Sequence, residues 1–346
     1  MSSWHLIAIG VLLVALVIAL VRVRRHLKKP WVVRRRLYER AMKRIEDASA
    51  WNSYGSFLKA EGDVPMAITA FKHMRKKTLA DPHGHITACV NLAELYRQQG
   101  KIEDALEAQL SAHGLMGHLD SSSQRNRAFY AMIVKDLAGL YEDHGDLHEA
   151  GMFYEEAIQL HEALEDSRVV ARLLGCLGVI RGKQGDLDQS YEFLDQALVA
   201  SMRLDDMQYI GLALFSLAQL HHKRGDQSKE ESCLIRADGY FERVNDKFHQ
   251  AMASNRLGLL YTKMGDPQKA EIYHSVALTL NRQRNSEPDI GWELELLGAA
   301  YQKQGKRKEA NQAFKEALEL YKKLADTVKL ARVEALLVSL NQEPNA

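Results

Sequence analysis

Five glycines, Gly145, Gly185, Gly225, Gly265 and Gly305, stand at a constant step of 40 residues, with Gly62 and Gly100 ahead of them. A period of that length implies a stack of small supersecondary units, each packed on its neighbours, rather than one globular core. Other columns keep the step. Leu137, Leu177, Leu217, Leu257 and Leu297 lie eight residues before each glycine, and Ala157, Ala197, Ala237, Ala277 and Ala317 lie twelve after it. The pattern predicts two helices per repeat. Helix A ends at the glycine, which adopts a left-handed conformation without a Cβ clash. Asp63, Asp146, Asp186, Asp226 and Asp266 follow immediately. A short carboxylate there caps the orphan N–H groups of helix B. Pro267 sits at the first helical position, where its missing donor costs nothing. Asp166, Asp206, Asp246 and Asp326 precede the next helix A and read as its N-cap or turn.

These residues resemble the tetratricopeptide repeat. Leu294, Leu297, Gly298, Tyr301, Gly305, Ala310, Phe314 and Ala317 follow that family's order and spacing, as do Leu257, Gly258, Tyr261, Gly265, Ala270 and Ala277. Earlier repeats give Trp51, Tyr54, Gly55, Leu58, Gly62, Ala67 and Phe71, then Leu92, Ala93, Tyr96, Gly100 and Ala105, then Leu137, Ala138, Tyr141, Gly145, Ala150, Tyr154 and Ala157. The fourth and fifth repeats depart from it, with Arg181 and His221 in place of Tyr and Ser190 and Glu230 in place of Ala, and Glu230 puts the fifth hairpin's geometry in question. The resemblance spans residues 49 to 320 and implies an all-α, right-handed superhelical solenoid of about seven helix-turn-helix repeats. Leu330, Val333, Leu337 and Leu340 predict a C-terminal capping helix, so the repeat domain is expected over 49–340, with a tail at 341–346. Gly100 to Gly145 exceeds the usual step, and the excess falls in His113 to Ser123, a predicted loop or hinge.

The long step is similar to that of spindle-orientation adaptors and kinesin light chains, which implies a peptide bound in the concave groove. The family builds that groove from helix A positions outside the core. Here they are Gly175, Val179 and Gly182, then Phe215, Gln219 and His222, then Asn255, Leu259 and Thr262. An apolar floor with a few polar groups suits an amphipathic segment. A shift of one position would make Phe215 and Leu259 core residues instead. Lys183, Lys223 and Lys263 recur two residues before each glycine, either as a basic rail for an acidic ligand or as complements to the helix dipole. Lys135 is followed by Gly139 where the family's carboxylate clamp has Asn, so no such clamp is expected.

The N-terminus is of another kind. Met1 to Val21 carries no formal charge, and Leu6 to Val21 is apolar except at Gly10. About 20 such residues span a bilayer core of about 30 Å. Arg22, Arg24, Arg25, Lys28 and Lys29 follow this run and no basic residue precedes it, unlike a cleavable signal peptide. The expected arrangement is a single transmembrane anchor at 1–22 with the repeats in the cytoplasm. Residues 23–48 predict a basic amphipathic helix, through Val33, Leu37, Tyr38, Ala41, Met42 and Ile45. It either lies on anionic lipid or caps the first repeat.

Nothing in the chain calls for catalysis. It has no glycine-rich phosphate loop and no nucleophile elbow. No cofactor is implied. The His83, His85 and Cys89 group lacks the paired spacing of a zinc site. With 46 basic against 45 acidic residues, the chain as a whole carries no field suited to nucleic acid. Three cysteines, Cys89, Cys176 and Cys233, make no disulfide framework. The expected function is a non-catalytic membrane scaffold or adaptor for a protein or peptide partner. A holdase or assembly factor for membrane or translocating chains is the alternative, and homo-oligomerisation stays open.

Overall fold

The computed structural model describes residues 47–342, which divide after Asn126 into two compact units. The predicted anchor, nearly all of the basic segment after it and the last four residues lie outside the described part. Among the described residues no helix is long and apolar enough to cross a membrane.

The first unit contains α1 (Ala48–Ala60), α2 (Val64–Lys77), α3 (Pro82–Gln98) and α4 (Ile102–Leu115), followed by a 3₁₀ turn at Met116–His118. Asp47 starts α1 by accepting the Ser49 N–H at 2.9 Å. Trp51, Tyr54, Leu58, Phe71, Met74 and Leu92 form the core. The predicted loop at His113–Ser123 is shorter than the spacing suggested, because α4 continues to Leu115. The turn that remains is tied by Asp120, which accepts both the N–H and the hydroxyl of Ser122 at 2.9 Å.

The second unit takes in α5 (Gln124–His144) from Arg127 onwards, then α6 (Leu147–Ala163), α7 (Ser167–Gln184), α8 (Leu187–Arg203), α9 (Met207–Arg224), α10 (Gln227–Arg243), α11 (Lys247–Met264), α12 (Pro267–Gln283), α13 (Glu287–Lys303), α14 (Arg307–Lys323) and α15 (Thr327–Gln342). From α6 to α14 each helix packs on the one that follows it. α15 closes the series with Val333 and Leu340 buried against α14, and Leu330 and Leu337 beside them.

Both kinds of turn follow one physical rule. Gly185, Gly225 and Gly265 take φ of 95°, 75° and 79°. The next residue, Asp186, Asp226 or Asp266, accepts an N–H of the new helix at 3.0 to 3.1 Å. The second aspartate column caps helix A, since Asp166, Asp206, Asp246 and Asp326 accept the N–H three residues on at 3.1 to 3.3 Å. Ahead of that column Glu165, Asp205, Asn245, Asn285 and Ala325 are all left-handed, with φ of 51° to 58°. Sequence inspection misses this column because none of the five is glycine. The turn is held by the following N–H returning to the helix, as from Asp326 to the Tyr321 carbonyl at 3.0 Å.

The fifth hairpin, α9 with α10, packs normally despite Glu230. That carboxylate is buried in the column that Ala150, Ala270 and Ala310 occupy elsewhere, and it reaches out to His222 Nδ1 at 3.0 and 3.1 Å. Arg181 is paired with Glu155.

A left-handed residue with a Cβ costs roughly 1–2 kcal/mol. Ala325→Gly is therefore expected to raise the urea midpoint of unfolding. Gly225→Ala should lower it, although a methyl there meets nothing within 4 Å.

Candidate functional site

The helix A positions expected to build the groove form a stripe, with their neighbours one turn earlier, along α7, α9, α11 and α13. Side chains at spacings of three and four residues share one face of a helix. On α7 the stripe is Arg172, Gly175 and Val179, on α9 Leu212, Phe215 and Gln219, and on α11 Phe248, Met252, Asn255 and Leu259. Two hollows open along it, both within the second unit.

The smaller, of about 190 Å³, is lined by Glu142, Arg172, Gly175, Cys176, Val179, Tyr209 and Leu212 among others. Arg172 lies over the Tyr209 ring at 4.0 Å. Burial pushes the Cys176 thiol up and, foremost among several causes, does the same to the Tyr154 hydroxyl. A thiol so disposed is a packing group rather than a nucleophile.

The larger, of about 320 Å³, brings Phe215, Gln219 and Asn255 together with Phe248, Met252, Trp292, Arg256, Arg284, Asp289 and Glu293. Phe248 is 47% exposed and Met252 37%. Arg284 lies over the Phe248 ring at 4.6 Å, bonds Asn281 at 2.8 Å and is 3.7 Å from Asp289. The result is an apolar cleft with fixed polar groups at its wall, a surface suited to a side chain with polar backbone attached.

The other groove residues have different surroundings. Phe215, 6% exposed, belongs to the core with Leu214, Leu217 and Phe241 and shows only part of its ring to the hollow. Leu259 is half-buried and lines neither hollow. His222 is occupied with Glu230. Lys183 donates to Glu142 Oε1 and Lys223 to the Gly182 carbonyl, each at 2.8 Å, so both lysines tie one repeat to the one before it. Lys263 is exposed and outside both hollows.

Sequence reasoning stopped one turn short on helix A. Arg172, Leu212, Met252 and Trp292 keep the step of 40 three residues before Gly175, Phe215, Asn255 and Glu295, and all four line the hollows. Extending the stripe towards each helix N-terminus would have found them. Around the first unit's histidines, Cys89 is buried 3.7 Å from Ser111 Oγ. Among the described residues no group of His, Cys, Asp or Glu is arranged to hold a metal ion.

The model of the MalT-like TPR region matches residues 44–322. The chain belongs to the MalT-like TPR family. Solved structures with a similar fold include the apo form of the quorum sensor NprR from B. thuringiensis, at 15% identity and TM-score 0.58 over 89% of this chain and 93% of that one. A tetratricopeptide repeat protein from Parabacteroides merdae is 20% identical, with TM-score 0.56 over 86% of this chain and 99% of its own. The apo form of RapI is 13% identical, with TM-score 0.60 over 81% and 99% of the two chains. At these identities the likeness is one of fold. No curated protein matches the chain.

In this TPR chain His222 is a strut for Glu230. His222→Ala is expected to lower stability by about 1–3 kcal/mol by leaving a buried carboxylate without its partner. The double variant His222→Ala/Glu230→Ala, which restores the alanine of the other repeats, should recover much of that in urea titration at pH 7.

Proposed function

We propose that this chain is a non-catalytic TPR scaffold that binds a peptide segment of a protein partner along the stripe of α7, α9, α11 and α13. The observation that carries this reading is the larger hollow. There Phe248, Met252 and Trp292 leave apolar surface open beside the amides of Gln219 and Asn255. Exposed apolar side chains rimmed by polar groups are the ordinary mark of a contact surface.

The same reading places the scaffold at a membrane. The support is in the sequence: the apolar run Leu6–Val21 is long enough to span a bilayer, and Arg22, Arg24, Arg25, Lys28 and Lys29 follow it. By the bias of positive charge the repeats would face the cytoplasm, with the basic segment beside anionic headgroups. A protease that cannot enter cells, added outside intact cells, is expected to leave the repeat domain untouched. Its removal would overturn this orientation.

A photo-crosslinker at Gln219 in the full-length, membrane-inserted protein tests the groove. The expected result is a discrete adduct with one protein, lost in Met252→Glu and Phe248→Glu, both at exposed positions that tolerate charge. A smear of unrelated clients would replace the scaffold by a holdase. Adducts only between copies of this chain would replace it by self-assembly.

A further inference from the structure

The joint between α11, α12 and α13 is polar where its counterparts are apolar. Glu293 stands in the column of Ile133, Leu173, Ala213 and Ala253, and His274 in that of Tyr154, Leu194, Leu234 and Phe314, all of them buried. His274 is 0% exposed and Glu293 2%. The His274 ring lies on Gly258 as the Phe314 ring lies on Gly298, with 2.6 Å from each ring to a Cβ built on the glycine. The histidine thus fills an aromatic's place and adds a polar edge.

That edge is used. Glu293 Oε2 is 2.9 Å from His274 Nδ1, and Glu293 Oε1 accepts the Asn255 side-chain N–H at 2.6 Å. An ionised carboxylate only accepts, so His274 donates from Nδ1. Its Nε2 is buried against Gly258 without a partner among the described residues. Asn255 then has one N–H committed to Glu293, and its carbonyl oxygen is without a partner among the described residues in the hollow that both residues line.

Burial, more than any other cause, holds the Glu293 carboxyl above its usual range. The hydrogen bonds of His274 from α12 and Asn255 from α11 pull it down, and Asp289 on α13 pushes it up. Arg256 of α11 and Arg284 just past α12 line the same hollow. A raised carboxyl favours the fold at low pH and loses that contribution as pH rises through its folded value, so ionised Glu293 costs stability at neutral pH. An apolar pair of similar volume would be at least as stable. The cost falls at the one joint beneath the open hollow.

Building on the groove reading above, we propose that Glu293, itself held by His274, is a positioning residue that fixes the Asn255 amide with its carbonyl oxygen towards the hollow. The groove thereby selects a ligand segment that presents an N–H at that point. Phe248, Met252 and Trp292 supply the apolar contact around it.

The test uses the full-length protein and peptides selected on it from a random display library. His274→Phe/Glu293→Leu rebuilds the joint with the types at Phe314 and Leu173. This variant is expected to fold with an unchanged or higher unfolding midpoint, while the peptide concentration for half-maximal crosslinking at Gln219 rises about tenfold. Glu293→Gln keeps an acceptor for Asn255 without the titrating charge. Its peptide binding should therefore stay close to that of the wild type, in contrast to the double variant. In the unliganded wild type, the Asn255 side-chain proton bonded to Glu293 should exchange with solvent much more slowly than in Glu293→Leu. Unchanged peptide binding in the double variant, or equally fast solvent exchange of the Asn255 amide protons in the wild type and in Glu293→Leu, would overturn the positioning role. Failure of any peptide to enrich would overturn the groove reading instead, and the Asn255 signal would then decide on the positioning alone.

Discussion

The close crossing of helix A on helix B within each hairpin is the interaction on which the rest of the structure depends. Packed helices lie about 8–10 Å apart according to the side chains at the contact, and here a small residue on helix A makes room for a ring of helix B. Gly298 receives the Phe314 ring so tightly that a Cβ would stand 2.6 Å from it, and Gly258 does the same for His274. A pair packed so closely presents one apolar flank to the next, which is why α12 lies on α13 as well as on α11. The turns keep the hairpins in register. Left-handed residues at both ends reverse the chain in the fewest residues, and an aspartate satisfies the N–H groups exposed by each reversal.

Regular packing of this kind leaves one face of every helix A uncommitted, and the character of that face varies from repeat to repeat. On α7 small Gly175 and Val179 floor a shallow hollow. On α11 Phe248 and Met252 project into a larger one with Trp292 of α13. The scaffold is generic, whereas the chemistry of the stripe belongs to this chain, so the reading of function stands on residues of the larger hollow rather than on the fold.

Substitutions that break the repeat pattern do not all have the same meaning. Glu230 replaces an alanine and is accommodated by a local partner, His222, eight residues away. Glu293 replaces an aliphatic residue and is bound by two side chains from different helices, one of them at the hollow. Burial raises the energy of a charged group until partners compensate it, so the number and origin of the partners separate a tolerated exception from a constructed one.

Much of the architecture was legible in the amino-acid order, because the signals are local and repeat. A glycine followed by an aspartate specifies a turn within a few residues, and apolar columns at a constant step specify which helix faces are buried. Hence the hairpins, the closing helix at Leu330 to Leu340 and the capping aspartates follow from spacing alone, except Asp146, whose carboxylate lies 3.2 Å from His144 and caps no N–H. The left-handed Glu165, Asp205, Asn245, Asn285 and Ala325 did not, since returning hydrogen bonds impose one conformation on a mixed column in which only Asn and Asp favour it. The stripe's identity also needed three dimensions. Lys223 reads as a cation for a ligand until its ammonium is seen on a carbonyl 41 residues back, and Asn255 reads as a free amide until Glu293, 38 residues on, holds it. The sequence by itself determined the repeat, its turns and the helix faces that pack, because those depend on neighbours along the chain. Only the tertiary structure decided which polar groups remain available, because their partners lie a repeat away and burial sets whether they are needed.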